Sequence, residues 1–368
     1  MMANTNTYIK SGLWVETDKP VKGFLNLDDT IKRVASSLGS SITVAGTGCN
    51  STLRCGVNNV ASGNYSFAGA GFANVAAANC STISGGYCNS VSGYGGSNIA
   101  GGGGNTITCG YNAFIGGGYG NSASSSYGTI AGGLYNIASG YGAGIFGGRD
   151  NIVSGNQSFI GGGQCHTLSG NCSTITGGCC NTVTGFLSNI TGGFCNSVTN
   201  NYGNIGGGLC NSISGCYSNV TGGRQNQITN SCYSTVIGGV GNDVRMISCS
   251  LMTSFAFGAG NCIYSCNTHS CYLGIHGGFV NSIVDGCASF IVNGYKNNMT
   301  NSSYSGIFGG QCNTIANTNK SFIVGSNITA DRSCATFVNN LSIKSIPTSS
   351  AGLPAGSVWS DAGVLKIV

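Results

Sequence analysis

The feature that most restricts what this chain can become is a short repeat. Residues 173–187, STITGGCCNTVTGFL, are followed by SNITGGFCNSVTNNY and then by GNIGGGLCNSISGCY, with a glycine pair and an asparagine held in place while the rest drifts. The asparagine recurs at Asn59, Asn74, Asn89, Asn105, Asn121, Asn136, Asn151, Asn181, Asn196, Asn211, Asn226 and Asn242, with His166 in the same place, at intervals of fifteen or sixteen. The series goes on through Asn261, Asn281, Asn297 and Asn313, with intervals of nineteen and twenty between residues 242 and 281. A fixed short period of this kind means a solenoid, in which each coil buries its apolar face against the next.

Each coil carries two segments of period two, such as STIT and NTVT, divided by glycines, which predicts two β-strands per turn. The apolar residue of the first falls six before the asparagine (Ile83, Ile99, Ile115, Ile130, Ile145, Ile160, Ile175, Ile190, Ile205, Val220). That of the second falls two after it (Val91, Ile107, Val153, Leu168, Val183, Val198, Ile213, Ile228). Ser and Thr flank both columns, so an inner and an outer face are specified. The expected fold is an all-β parallel β-solenoid of 15–16-residue coils.

The fixed residues then have structural readings. The glycine pairs, among them Gly177 with Gly178 and Gly192 with Gly193, fit a tight turn with positive φ or a close backbone approach. Four residues after the asparagine stand Gly63, Gly93, Gly140, Gly155, Gly170, Gly185 and Gly215, replaced by Asn200 and Asn230, an alternation expected of a left-handed turn residue. Asn136, Asn151, Asn181, Asn196, Asn211 and Asn226 are expected to stack as a ladder, their amides bonding turn backbone from coil to coil. Cys165, Cys180, Cys195 and Cys210 form a column of one side chain, with Cys88 and Cys312 at the same site. They are expected to pack as small apolar residues, since in-register sulfurs are poorly oriented for disulfides.

Composition narrows function. Of 368 residues only 6% are charged, while 65 are Gly and three are Pro, which excludes collagen and, with a positive mean hydropathy, disorder. A net charge of +5 without a basic stripe gives no reason to expect nucleic acid. No run of eighteen apolar residues predicts a membrane span, and residues 1–20 lack the plan of an export signal, so most of the twenty cysteines are expected to be reduced. With three His, nine acidic residues, no Gly-Lys phosphate loop and no paired carboxylates in the coils, neither an enzyme nor a cofactor is expected.

The pattern SxIxGGxxN followed by xVxG, over about residues 55–330, resembles the head repeats of YadA-type trimeric autotransporter adhesins and the Gly-rich repeats of phage tail fibres. The resemblance implies a trimeric β-roll or β-helix. A thin two-stranded rod of roughly 80 Å also favours covering its sheets with identical chains, so a homotrimer is expected. The export signal, coiled-coil stalk and membrane barrel of an autotransporter are not found in the sequence. At the ends the period is lost. LNLDDTIKRVASSL reads as a short amphipathic helix with Asp28 and Asp29 early and Lys32 and Arg33 late, in a segment similar to the N-terminal parts of virion appendage proteins. GLPAGSVWSDAGVLKIV resembles the C-terminal tips of phage fibre and virion-decoration proteins and contains a hairpin signal at SDAG. The expected organisation is an attachment and trimer-nucleating module (1–50), a solenoid shaft (51–330) and a small β tip that caps the last coil (331–368).

Two further patterns suggest contact sites. Tyr94, Tyr111, Tyr127, Tyr141, Tyr202, Tyr217 and Tyr233 fall five to seven residues after the asparagine, where stacked rings could grip sugars or pack between subunits. Cys262, Cys266, His269 and Cys271 crowd the lengthened coils but match no standard zinc spacing, and an ordinary bulged loop is the expected reading. A regular threonine array of the ice-binding kind is not present. The expected function is a homotrimeric fibre of a virus particle, assembled in the host cytoplasm, joined to other virion proteins by its N-terminal module and binding a host-surface glycan or protein. The alternative is a cellular trimeric adhesin or surface filament on the cell surface.

Overall fold

The structure, a computed structural model, describes residues 43–54, 56–246, 254–265, 272–342, 346–361 and 364–368. The helix expected in residues 25–38 lies outside these, as do Cys266, His269 and Cys271. The described residues contain no helix; they form a parallel β-solenoid of about 18 coils with a repeat near fifteen residues.

One coil shows the plan. Thr174–Ile175 pairs in parallel with Phe159–Ile160 of the coil before and Asn189–Ile190 of the coil after. Thr182–Val183 does the same with Thr167–Leu168 and Ser197–Val198, building the second sheet. Alternation within these two-residue strands sends Ile175 and Val183 inward, both fully buried, and leaves Thr174 and Thr182 half-exposed. The core is therefore two facing columns, one aliphatic side chain from each sheet per coil, running from Ala61 to Ala330. Burying each Ile, Leu or Val of these columns contributes about 1.5–3 kcal/mol, and each alanine less, so stability is spread along the rod.

A third ladder, one residue wide, runs along the turn between the sheets: Tyr119, Leu134, Arg149, Gln164, Cys179, Phe194, Leu209 and Arg224 each bridge the next coil. The sequence gives no alternation there, and these residues are identified only by sitting two before the asparagine.

The seventeen coils marked by sixteen asparagines and His166 are joined by an eighteenth in which Ile328 stands in the asparagine position; its N–H donates to Asn313 Oδ1 at 3.0 Å. The lengthened coils keep the stack. Asn261 N–H donates to Asn242 Oδ1 at 3.2 Å and Asn281 N–H to Asn261 Oδ1 at 2.9 Å, while strands lengthen to Ser254–Ala259 and Leu273–Phe279 with a register shift between Phe257 and Ala259. At the start, Thr43–Ala45 lies antiparallel on Thr52–Arg54 and covers the open edge of the first sheet. Near the C-terminus Val358–Asp361 and Val364–Ile367 form an antiparallel pair, as the hairpin signal predicts.

Candidate functional site

The two turn edges carry the cysteine and tyrosine positions singled out in the sequence, and two internal ladders fix them. At the first edge the ladder asparagines from Asn74 to Asn313 are buried and bonded to neighbouring coils. Asn196 donates its backbone N–H to Asn181 Oδ1 at 2.9 Å and its Nδ2 to the carbonyls of Gly192 and Gly208 at 3.0 Å, and its own Oδ1 accepts from Asn211 N–H at 2.9 Å. The side chain thus satisfies groups in its own coil and the next, and the backbone N–H ties in the coil before, the ladder expected from sequence. His166 takes part with its ring: Nδ1 accepts from Asn181 N–H at 3.1 Å, while the buried Nε2 faces the Gly178 carbonyl without a hydrogen bond of normal geometry. Burial lowers its pKa, which the Gly178 and Asn181 backbone groups only partly offset.

At the second edge a serine ladder does the corresponding work. Ser173 Oγ donates to the Gly185 carbonyl at 2.8 Å and accepts from Ser188 N–H at 3.0 Å, and Ser158 Oγ donates to the Gly170 carbonyl at 2.7 Å. The signal for it was a small residue eight before each asparagine.

The glycines divide by cause. Gly193 needs both a positive φ of +90° and space, since a Cβ would lie 2.2 Å from the Gly208 carbonyl oxygen. Gly178 is the same one coil earlier. Their partners Gly177 and Gly192 meet nothing within 4 Å, as do Gly132, Gly147, Gly162 and Gly222, while Ala70 and Phe257 occupy equivalent places. The column at Gly140, Gly155, Gly170 and Gly185 corrects the sequence expectation. It is not left-handed; a Cβ at Gly170 would come within 1.9 Å of the Gly185 carbonyl oxygen, so close stacking is the reason. In later coils the place four after the asparagine is left-handed, at Asn230, Asp285, Asn301 and Asn317 with φ between 50° and 55°.

The left-handed positions lie elsewhere, on residues that rarely take them. On the first edge they fall on Cys165, Cys180, Cys195 and Cys210, with φ between 54° and 56°. These thiols are exposed or half-buried and not packed in the core, which overturns the expected burial. The turn holds its central residue out into solvent. Hydrogen bonding to Cys179, whose Sγ lies 3.3 Å away, and desolvation push the Cys180 thiol above the usual range; desolvation does the same to Cys195.

On the second edge the left-handed position is filled by Tyr65, Tyr127, Tyr202, Tyr217 and Tyr233. Tyr202 and Tyr217 stack at 4.4 Å with planes 6° apart, and Tyr217 and Tyr233 at 4.9 Å and 2°. Tyr94 and Tyr111 form a second stack at 5.1 Å, and Tyr127 meets Tyr141 edge-on at 5.4 Å. The tyrosines are thus three clusters and not one column, the last set apart from the others where Gln157, Cys172 and Leu187 take the turn. In the largest cluster the ring faces cover each other, so rims and hydroxyls face outward. Desolvation, with the phenols of Tyr202 and Tyr233, raises the Tyr217 pKa.

Of the crowded Cys/His patch, Cys262 is described: it sits half-buried in the strand Cys262–Ser265, its thiol pushed up by burial. Nearby His276 packs on Phe255 at 5.2 Å. Among the described residues no three His, Cys, Asp or Glu side chains converge as a metal cage, and no helix is long and apolar enough to cross a membrane. Compared with known proteins, the chain matches no protein-family model and no curated protein.

Proposed function

We propose that this chain is the shaft of a homotrimeric fibre of a virus particle, of the phage tail-fibre kind, that binds a host-surface glycan or protein by repeated weak contacts. The observation that carries the reading is the pairing of a rigid rod with clustered tyrosines on one edge. The eighteen coils span about 85 Å, and buried Asn and Ser side chains bond turns of successive coils to one another. Sites on such a rod are held at set distances, and three copies of each raise avidity without new contacts. The stacked Tyr202, Tyr217 and Tyr233 offer a row of phenol hydroxyls suited to hydrogen bonding with sugar hydroxyls, with apolar ring edges between them.

Two features support association of identical chains. The core is only two side chains wide, and the outward rows include exposed Phe114, Phe146, Ile137 and Ile152. The first glycine of the pair is kept in coil after coil although one chain alone has room for a side chain there, which suits close approach by a second copy. A copy shares the rung spacing, so the same contact recurs at every coil. The N-terminal segment serves as the attachment module to other virion proteins.

The test is fractionation of producing cells with mass spectrometry of purified particles. Recovery of the chain in particles supports the fibre; recovery in the cell envelope alone replaces it with the cellular adhesin. Tyr202→Ser with Tyr217→Ser is expected to weaken binding to host cells at least tenfold, and unchanged binding would remove the tyrosine cluster from the contact.

A further inference from the structure

We propose that the stacked thiols of Cys165, Cys180, Cys195 and Cys210 bind two soft monovalent metal ions of the copper(I) or silver(I) class, one between Cys165 and Cys180 and one between Cys195 and Cys210.

Neither backbone nor packing explains cysteine at these four places. A left-handed conformation costs an L-residue about 1–2 kcal/mol, and Gly104, Gly120 and Gly241 occupy the same position in other coils. The side chains are not in the core, since Cys165 and Cys210 are exposed and Cys180 and Cys195 half-buried. What remains is the chemistry of the thiol. The four occupy consecutive coils with a constant fifteen-residue spacing, and each turn is pinned alike: Cys180 N–H donates to the Gln164 carbonyl at 2.9 Å, Cys195 N–H to that of Cys179 at 3.0 Å and Cys210 N–H to that of Phe194 at 2.9 Å. The thiols stand on consecutive rungs of the rod, those of Cys165 and Cys195 close enough to Cys180, and that of Cys210 close enough to Cys195, to influence its titration.

Spacing selects the ligand. Equivalent atoms on successive coils lie about 4.8 Å apart. A disulfide wants Cβ atoms at roughly 3.5–4.5 Å, closer than parallel side chains on neighbouring rungs stand. Two collinear metal–thiolate bonds of about 2.3 Å span about 4.6 Å, close to one rung. Zinc requires four ligands around a point, and no such convergence exists among the described residues. Thiolate softness favours copper(I) and its heavier analogue. Each ion replaces two thiol protons, giving one S–metal–S unit with a single net negative charge and releasing two protons; no electron is transferred.

The same column contains its own control. Cys88 has Ala73 and Gly104 as neighbours, and Cys312 has Lys296 and Asn327, so neither has a thiol one rung away. The experiment is copper(I) loading of the reduced full chain against a competing chelator, with ions counted by native mass spectrometry. The variant with all four cysteines replaced by serine is expected to hold two ions fewer than the parent, Cys210→Ser one fewer, and Cys88→Ser with Cys312→Ser the same number as the parent. X-ray absorption of the ions lost should report two sulfur neighbours. Cys210→Ser alone carries the test if the fourfold variant does not fold. An unchanged count in Cys210→Ser and the fourfold variant overturns the proposal. So does an equal loss from the Cys88 and Cys312 pair, and so do peptides linking Cys165 to Cys180 by a disulfide in the unreduced chain.

Discussion

At the scale of the residue, the fold rests on a few side chains used repeatedly. Asn196→Ala removes two hydrogen bonds to half-buried carbonyls and leaves the buried Asn211 N–H without its acceptor. Its expected cost is about 2–4 kcal/mol, seen as a lowered midpoint in chemical unfolding followed by circular dichroism. His166 is the weak rung of the same ladder. His166→Asn restores a donor toward the Gly178 carbonyl and is expected to stabilise by about 1 kcal/mol at neutral pH. The gap should widen in acid. The folded-state pKa of His166 is lowered by burial, so as pH falls below about 6.5 the unfolded chain takes up a proton that the folded chain resists, and stability drops until the lowered pKa is passed. Unfolding of both proteins from pH 7.5 to pH 5 checks this; parallel pH profiles would contradict it. The asparagine ladder was legible because an amide recurring at a fixed interval has few other uses in a stack. The left-handed turns were not, because Cys180 and Tyr217 are poor candidates for positive φ by intrinsic preference, and stacking overrides that preference. The column at Gly170 and Gly185 misled for the opposite reason: glycine serves close approach as well as φ, and sequence does not separate the two.

At the scale of the coil, the two glycines of one pair should respond differently. Gly193→Ala places a methyl against the Gly208 carbonyl in a conformation it disfavours, and is expected to cost at least about 3 kcal/mol. Gly192→Ala meets open space within its own chain and is expected to leave thermal unfolding of an isolated chain within about 0.5 kcal/mol of the parent. Equal losses in the two would contradict the assignment of their roles. In the core, Ile190 is flanked by Ile175 and Ile205 in its column, and Ile190→Ala is expected to cost about 2–5 kcal/mol because neighbouring rungs, fixed by their ladders, cannot collapse into the cavity. Both inward columns were readable from strand periodicity. The serine ladder was less so, since Ser158 and Ser173 alternate with Ala113, Gly128 and Ala143 at the same position and look like ordinary turn residues. The eighteenth coil was hidden because Ile328 lacks the marker by which coils are counted.

At the scale of the whole molecule, the same economy that makes a coil short makes the rod thin, with two aliphatic side chains per coil inside and apolar rings on its outer rows. The exposed ion pairs, such as Arg149 with Asp150 at 3.2 Å and Arg332 with Asp331 at 3.0 Å, contribute little. Covering the sheets would add further stabilisation, and the proposed self-association rests on that. The period in the sequence foretold the rod, but not what lies against it, because outward positions vary from coil to coil. Sedimentation velocity of the purified chain tests this most directly, since it reports mass and elongation together. The account predicts an elongated particle of three times the 36.9 kDa chain mass. A monomer at micromolar concentration, elongated or compact, would contradict it.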